Sequence, residues 1–111
     1  MINKIKKAIK SRLYREIGEK DVNLQEAKRL QKDGAIMIDV RSPQEYREGH
    51  IDGAILIPEY KKKKEIENAI VDKNKNIVVY CSSGGRSKRA QKILNTLGYK
   101  NVYNIYEGYL I

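Results

Sequence analysis

Cys81 is the one cysteine in a chain of 111 residues, and the residues after it are of types that change what a thiol can do. The run Cys81-Ser82-Ser83-Gly84-Gly85-Arg86-Ser87 follows the apolar stretch Ile77-Val78-Val79-Tyr80 and leads into residues with helical spacing. A loop between strand and helix can turn its backbone N–H groups inward as a nest that holds negative charge. Gly84 and Gly85 permit the backbone angles such a cradle needs. A helix starting near Arg86 adds unpaired N–H groups and the positive end of its dipole. Arg86 itself adds a permanent cation with a planar donor fork. An ordinary thiol, with a pKa of about 8.5, is only slightly ionised at neutral pH, and these surroundings favour the thiolate. The same donors would hold an oxyanion delivered to the sulfur. The expected roles are therefore nucleophile for Cys81, charge stabilisation for Arg86, and substrate binding for Ser82, Ser83, Gly84, Gly85 and Ser87. An inert, buried strand-end cysteine is the plainer alternative, and two Ser, two Gly, an Arg and a helix start argue against it.

Such a loop needs a scaffold, and the chain from Asn23 onward spells one out. Asn23-Leu24-Gln25-Glu26 reads as a capping box. The helix it opens has Leu24, Ala27 and Leu30 as its apolar stripe and ends at Asp33-Gly34. Ala35 to Val40 is near-continuously apolar, as in a strand covered on both faces. Ser42-Pro43-Gln44-Glu45 starts a second short helix, with Ser as N-cap and Pro in the first turn, and Gly49 ends it. Ala54 to Ile57 predicts a strand closed by Pro58. Lys62 to Val71 predicts a helix with Ile66, Ala69 and Ile70 inward. Ile77 to Tyr80 is the most apolar strand. A helix from Arg86 to Leu97 follows, with Ala90, Ile93, Leu94 and Leu97 inward, and then a last strand from Val102 to Ile105. Strands alternating with helices predict the α/β class, a mostly parallel central sheet with helices on both faces. Ligands in such sheets bind beyond the carboxyl ends of the strands, which is where Cys81 falls.

Residues 1–22 read as a separate, basic amphipathic N-terminal helix in front of a domain at 23–111. Ile2, Ile5, Ile9, Leu13 and Ile17 recur at helical steps with Lys and Arg between them. The expectation is that this stripe packs on the domain itself rather than on a membrane or a partner. The formal net charge of +9 favours an anionic partner. No nucleic-acid motif or aromatic interleaving accompanies the basic run Lys61 to Lys64, so nucleic acid is not the expected partner. A single Cys excludes an internal disulfide, and a single His, His50, excludes a multi-histidine metal centre. No apolar run is long enough to span a bilayer. A lone thiol without a secretory leader predicts a cytoplasmic protein. Oligomeric state is not legible.

Three segments, spread over Asn23 to Tyr109, resemble a single-domain rhodanese-like sulfurtransferase. The first is Ile38-Asp39-Val40-Arg41-Ser42-Pro43 with Glu45-Tyr46, Gly49-His50-Ile51-Asp52-Gly53-Ala54 and Ile57-Pro58. The second is Cys81 to Ser87, which is similar to the family's active-site loop. The third, partial, is Gly98-Tyr99-Lys100-Asn101-Val102 with Glu107-Gly108-Tyr109. Glu107-Gly108 stands where the family usually has a Gly pair, and Leu56 replaces a common Asn. The resemblance implies a three-layer fold and a sulfur transfer through a persulfide on Cys81, with no metal or organic cofactor. Thiosulfate or a persulfide would be donor, and cyanide, a thiol or a protein cysteine acceptor. Asp39 and Arg41 then form a scaffold pair under the loop, or Arg41 helps recruit an anionic donor. His50 takes a structural hydrogen bond. Sulfur carriage between partners and a non-catalytic regulatory module are the alternatives within the family. Cysteine-dependent phosphatases also place Cys and Arg around an oxyanion, but with five intervening residues. Here only Ser82 to Gly85 intervene, a cradle sized for one sulfur.

Overall fold

The computed structural model describes residues 18–59 and 61–109. Within them the elements run β1 (Asp21–Val22), α1 (Leu24–Lys32), β2 (Ile36–Asp39), α2 (Pro43–Glu48), β3 (Ile55–Leu56), α3 (Lys63–Ala69), β4 (Asn76–Tyr80), α4 (Gly85–Thr96) and β5 (Asn101–Ile105). The apolar stripe expected at Ile2 to Ile17 lies outside the described residues. No helix among the described residues is long and apolar enough to cross a membrane.

Local chemistry starts the first two helices as the sequence expects. Asn23 Oδ1 accepts from Glu26 N–H at 2.8 Å, and Glu26 Oε1 accepts from Asn23 N–H at 3.1 Å. Ser42 and Glu45 form the same reciprocal pair at α2, with Pro43 in the first turn. Each box satisfies donors that a helix start otherwise leaves unpaired.

The five strands form one sheet in the order β1-β5-β4-β2-β3, and every pairing in it is parallel. β4 lies at the centre, with Ile38 opposite Val79 on one side and Val79 opposite Asn104 on the other. Successive side chains of a strand point to opposite faces, so β4 and the residue after it feed two cores. Ile77, Val79 and Cys81 pack with Ile66 of α3, Ile70 just beyond it, and Ala90 and Leu94 of α4. Val78 and Tyr80 pack with Val22, Ala27, Met37 and Ile51, α1 lying on this side. The expected three layers are present.

Three local expectations are corrected. Asp21 and Val22, grouped by sequence with the N-terminal helix, pair in parallel with Asn104 and Ile105 as an edge strand. Ile93 is 43% exposed, because the inward stripe of α4 is Ser87, Ala90, Gln91 and Leu94. Gln91 occupies that face by donating to the Val102 carbonyl at 2.9 Å. Ala69 is exposed too: the buried residue of α3 is Ile66, and Ile70, just past the helix end, returns to the core in extended conformation.

Candidate active site

Cys81 follows the last residue of β4, at the carboxyl end of the sheet, and none of its surface is exposed. Its Sγ accepts from Gly84 N–H at 3.0 Å and from Ser87 N–H at 3.4 Å, and lies 3.4 Å from Ser87 Oγ. Burial pushes the Cys81 thiol up, but hydrogen bonds from the Ser87 hydroxyl and from the N–H groups of Ser87, Ser83 and Gly84 outweigh it, and the net shift is downward. A buried sulfur with converging N–H donors is prepared to be an anion.

Two glycines let the loop close this tightly. Gly84, the N-cap of α4, is left-handed with φ +91°, and a Cβ there would overlap the Tyr106 carbonyl oxygen. Gly108, at φ +80°, lies under the Ser82 carbonyl, which a Cβ would likewise strike. The next residue, Tyr109, donates its N–H to the Cys81 carbonyl at 2.8 Å. The C-terminal segment thus braces the loop from outside.

Arg86 does not place its fork on the sulfur. Its Nη1 and Nη2 donate to Glu45 Oε1 and Oε2 at 2.7 and 2.9 Å. Ser82 Oγ donates to the same carboxylate at 3.1 Å. Glu45 therefore caps α2 and ties down both flanks of the loop. The Arg86 guanidinium holds the Glu45 carboxyl well below the usual carboxylate range, with partial burial opposing and Ser42 assisting. The sequence gives Glu45 a capping role and a place in the first rhodanese-like segment, but no partner. The capping box was a signal for its position; nothing in the spacing pointed to a partner 41 residues downstream.

A second buried ionic group supports the site from below. Asp39 ends β2 with no exposed surface, and Arg41 is 3% exposed. Arg41 Nε and Nη2 donate to the Asp39 carboxylate at 2.9 and 2.7 Å, and Nη2 also donates to the Gly49 carbonyl. Tyr80 Oη donates to Asp39 Oδ2 and accepts from Ile51 N–H, both at 3.0 Å. Burial raises the Tyr80 phenol well above its ordinary range, so it remains a donor. Of the two readings of Arg41, this burial and these partners favour the scaffold pair with Asp39. His50 stacks on Tyr46 at 3.6 Å between centroids. Its Nδ1 is 2.7 Å from the Tyr46 carbonyl, a structural hydrogen bond.

The structure thus brings Cys81, Ser83, Gly84 and Ser87 together around one sulfur, joins Arg86 and Ser82 through Glu45, and sets Arg41 beneath. Such a sulfur can act as a nucleophile whose product charge is held by fixed N–H dipoles. A family model described as "Rhodanese-like domain" matches residues 23–110. Thiosulfate sulfurtransferase PspE of Escherichia coli K12 is 45% identical over 67 residues, which cover 60% of this chain and 64% of PspE. A tRNA uridine(34) hydroxylase of Buchnera aphidicola is 34% identical over 97 residues, 83% of this chain but 30% of the hydroxylase. The chain therefore spans less than two thirds of either relative. The human single-domain sulfurtransferase TSTD1 has a similar structure, with a TM-score of 0.68 at 27% identity, covering 83% of this chain and 93% of that one.

Proposed function

The chain belongs to the rhodanese-like domain family, and from that premise we propose that it is a sulfurtransferase working through a persulfide on Cys81. The Cys81 thiolate attacks the outer sulfur of thiosulfate. A new S–S bond forms on Cys81, the S–S bond of the donor breaks, and sulfite leaves with the bonding electron pair. With a persulfide donor the leaving group is the donor's thiolate. In the second half, cyanide or a thiolate attacks the outer sulfur of the Cys81 persulfide, and the Cys81 thiolate departs. Both halves are nucleophilic exchanges at sulfur, and their rates follow thiolate fraction, leaving-group pKa and access. No metal or organic cofactor enters the exchange.

One observation carries this reading: two backbone N–H groups donate to Cys81 Sγ at 3.0 and 3.4 Å, and the Ser87 hydroxyl lies 3.4 Å from it. Fixed dipoles in that position stabilise an anion without reorganising during reaction. Because Cys81 has no exposed surface, entry of a donor requires displacement of the loop above it, of which Ser83 is the exposed part. The four residues between Cys81 and Arg86 suit one added sulfur better than a tetrahedral phosphoryl group. A single thiol used this way fits the reducing cytoplasm.

The test is thiocyanate formation from thiosulfate and cyanide, and from a small persulfide and cyanide, by wild type and Cys81→Ser. The substitution is near-isosteric, so the variant is expected to fold and to lose transfer from every donor. Transfer retained by Cys81→Ser would overturn the proposal, since no second cysteine exists to replace it.

A further inference from the structure

The chain carries a net charge of +9, yet among the described residues Arg41 and the three cations that open α4 each have a carboxylate partner. Arg86 is held by both oxygens of Glu45. Arg41 is held by Asp39 at 2.7 Å, Lys88 by Asp21 at 2.8 Å and Arg89 by Glu59 at 3.2 Å. Lys88 and Arg89 lie in the same first turns of α4 as Arg86. Among the described residues, the polar groups on Cys81 Sγ are therefore backbone and hydroxyl dipoles, while these cations are engaged in ion pairs. Of these pairs, Arg86–Glu45 is the one linked to the loop itself, through Ser82 Oγ. It is also open to arriving solutes, with Arg86 32% and Glu45 30% exposed.

We propose that Glu45 is a specificity-determining residue: by neutralising Arg86 at the mouth of the site, it disfavours multiply charged anions and favours sulfur donors that bring one negative charge or none. This deepens the proposed function and rests on its reading of Cys81 as nucleophile. A free guanidinium fork matches the geometry of a dianion such as thiosulfate. Bound to Glu45, that end of the fork is occupied and its charge neutralised, and the half-buried carboxylate beside it repels such a donor. A persulfide with an uncharged or singly charged carrier meets no such opposition. The substrate class implied is a persulfide on a small thiol or on a protein cysteine.

The charge at the mouth can be read without measuring sulfur transfer. Iodoacetate and iodoacetamide are close in size and both alkylate a thiolate, but only the first is an anion. Their rate ratio at Cys81 therefore cancels access and thiolate fraction and leaves electrostatics. Glu45→Gln keeps the shape and the cap, since capping boxes accept Gln in place of Glu. The ratio is expected to rise by about threefold or more in Glu45→Gln and to fall by about threefold or more in Arg86→Gln, as a unit charge a few ångströms from the reagent requires. It returns to near the wild-type value in the double variant and stays there in Arg86→Lys. Loading of Cys81 by thiosulfate relative to a monoanionic persulfide moves with the same signs. If either single variant fails to fold, the other alone decides the sign. A ratio unmoved by both substitutions overturns the proposal. A ratio that moves as stated while no donor loads sulfur upholds the charge assignment and sinks sulfur transfer instead. Failure of both reagents to reach Cys81 in the folded wild-type protein removes the nucleophile and this inference with it.

Discussion

Ser87 has one hydroxyl proton and two acceptors for it. Its Oγ donates to the Gly84 carbonyl at 3.2 Å and lies 3.4 Å from Cys81 Sγ. Ionisation of Cys81 draws that proton toward the sulfur, so the hydroxyl stabilises the thiolate more than the thiol. Ser87→Ala removes only this oxygen from a fully buried position. The pH profile of Cys81 alkylation is expected to move upward, with the loss of a bond worth about 1 kcal/mol lowering the thiolate population about fivefold at neutral pH. An unmoved profile would show that the backbone N–H groups act alone. At this scale the sequence reveals residue types but not all partnerships. Cys81, Gly84 and Ser87 announce themselves because strand end, glycine and helix start are contiguous. Arg86 looks free for an anion only because its actual partner comes from α2.

Elements were legible where short-range chemistry defines them. The two capping boxes are complete within four residues each, so Asn23 and Ser42 could be placed from sequence. β1 could not, because a two-residue strand has no period of its own and exists through its pairing with Asn104 and Ile105. Ile93 misled for a related reason: apolar character pointed inward, but Gln91 satisfies a strand carbonyl and takes the buried line. The loop's bracing by the C-terminal segment was equally hidden, since Gly108 is 24 residues beyond Gly84. A pair of substitutions separates the two costs of a side chain at positive φ. Gly34 has φ +105°, and a Cβ added there would meet open space, so Gly34→Ala is expected to lower stability only by the conformational cost of about 1–2 kcal/mol. Gly108→Ala adds a collision with the Ser82 carbonyl. It should cost more and also shift Cys81 alkylation, which Gly34→Ala leaves as it is. Denaturant midpoints and alkylation rates check both; equal effects of the two would remove the proposed bracing of the loop.

Across the whole molecule, distant parts of the chain converge on the loop that holds the sulfur: α2 through Glu45 on Ser82 and Arg86, and the C-terminal segment through Tyr109 on the Cys81 carbonyl. That convergence links acid stability to the site. Glu45 is held below its ordinary value of 4.5 chiefly by Arg86, so its contribution to folding is fully present above that value and is lost as pH falls toward the depressed one. The thermal midpoint is therefore expected to drop between about pH 5 and about pH 3, and to drop less in Glu45→Gln. An identical slope in the variant would mean that other carboxylates govern acid unfolding. The central claim concerns one atom. The intact protein, incubated with thiosulfate or with a small persulfide and then freed of donor, should gain the mass of one sulfur atom at Cys81 and lose it on adding cyanide. Wild-type protein that gains no sulfur from either donor, or that gains it equally as Cys81→Ser, would contradict the account.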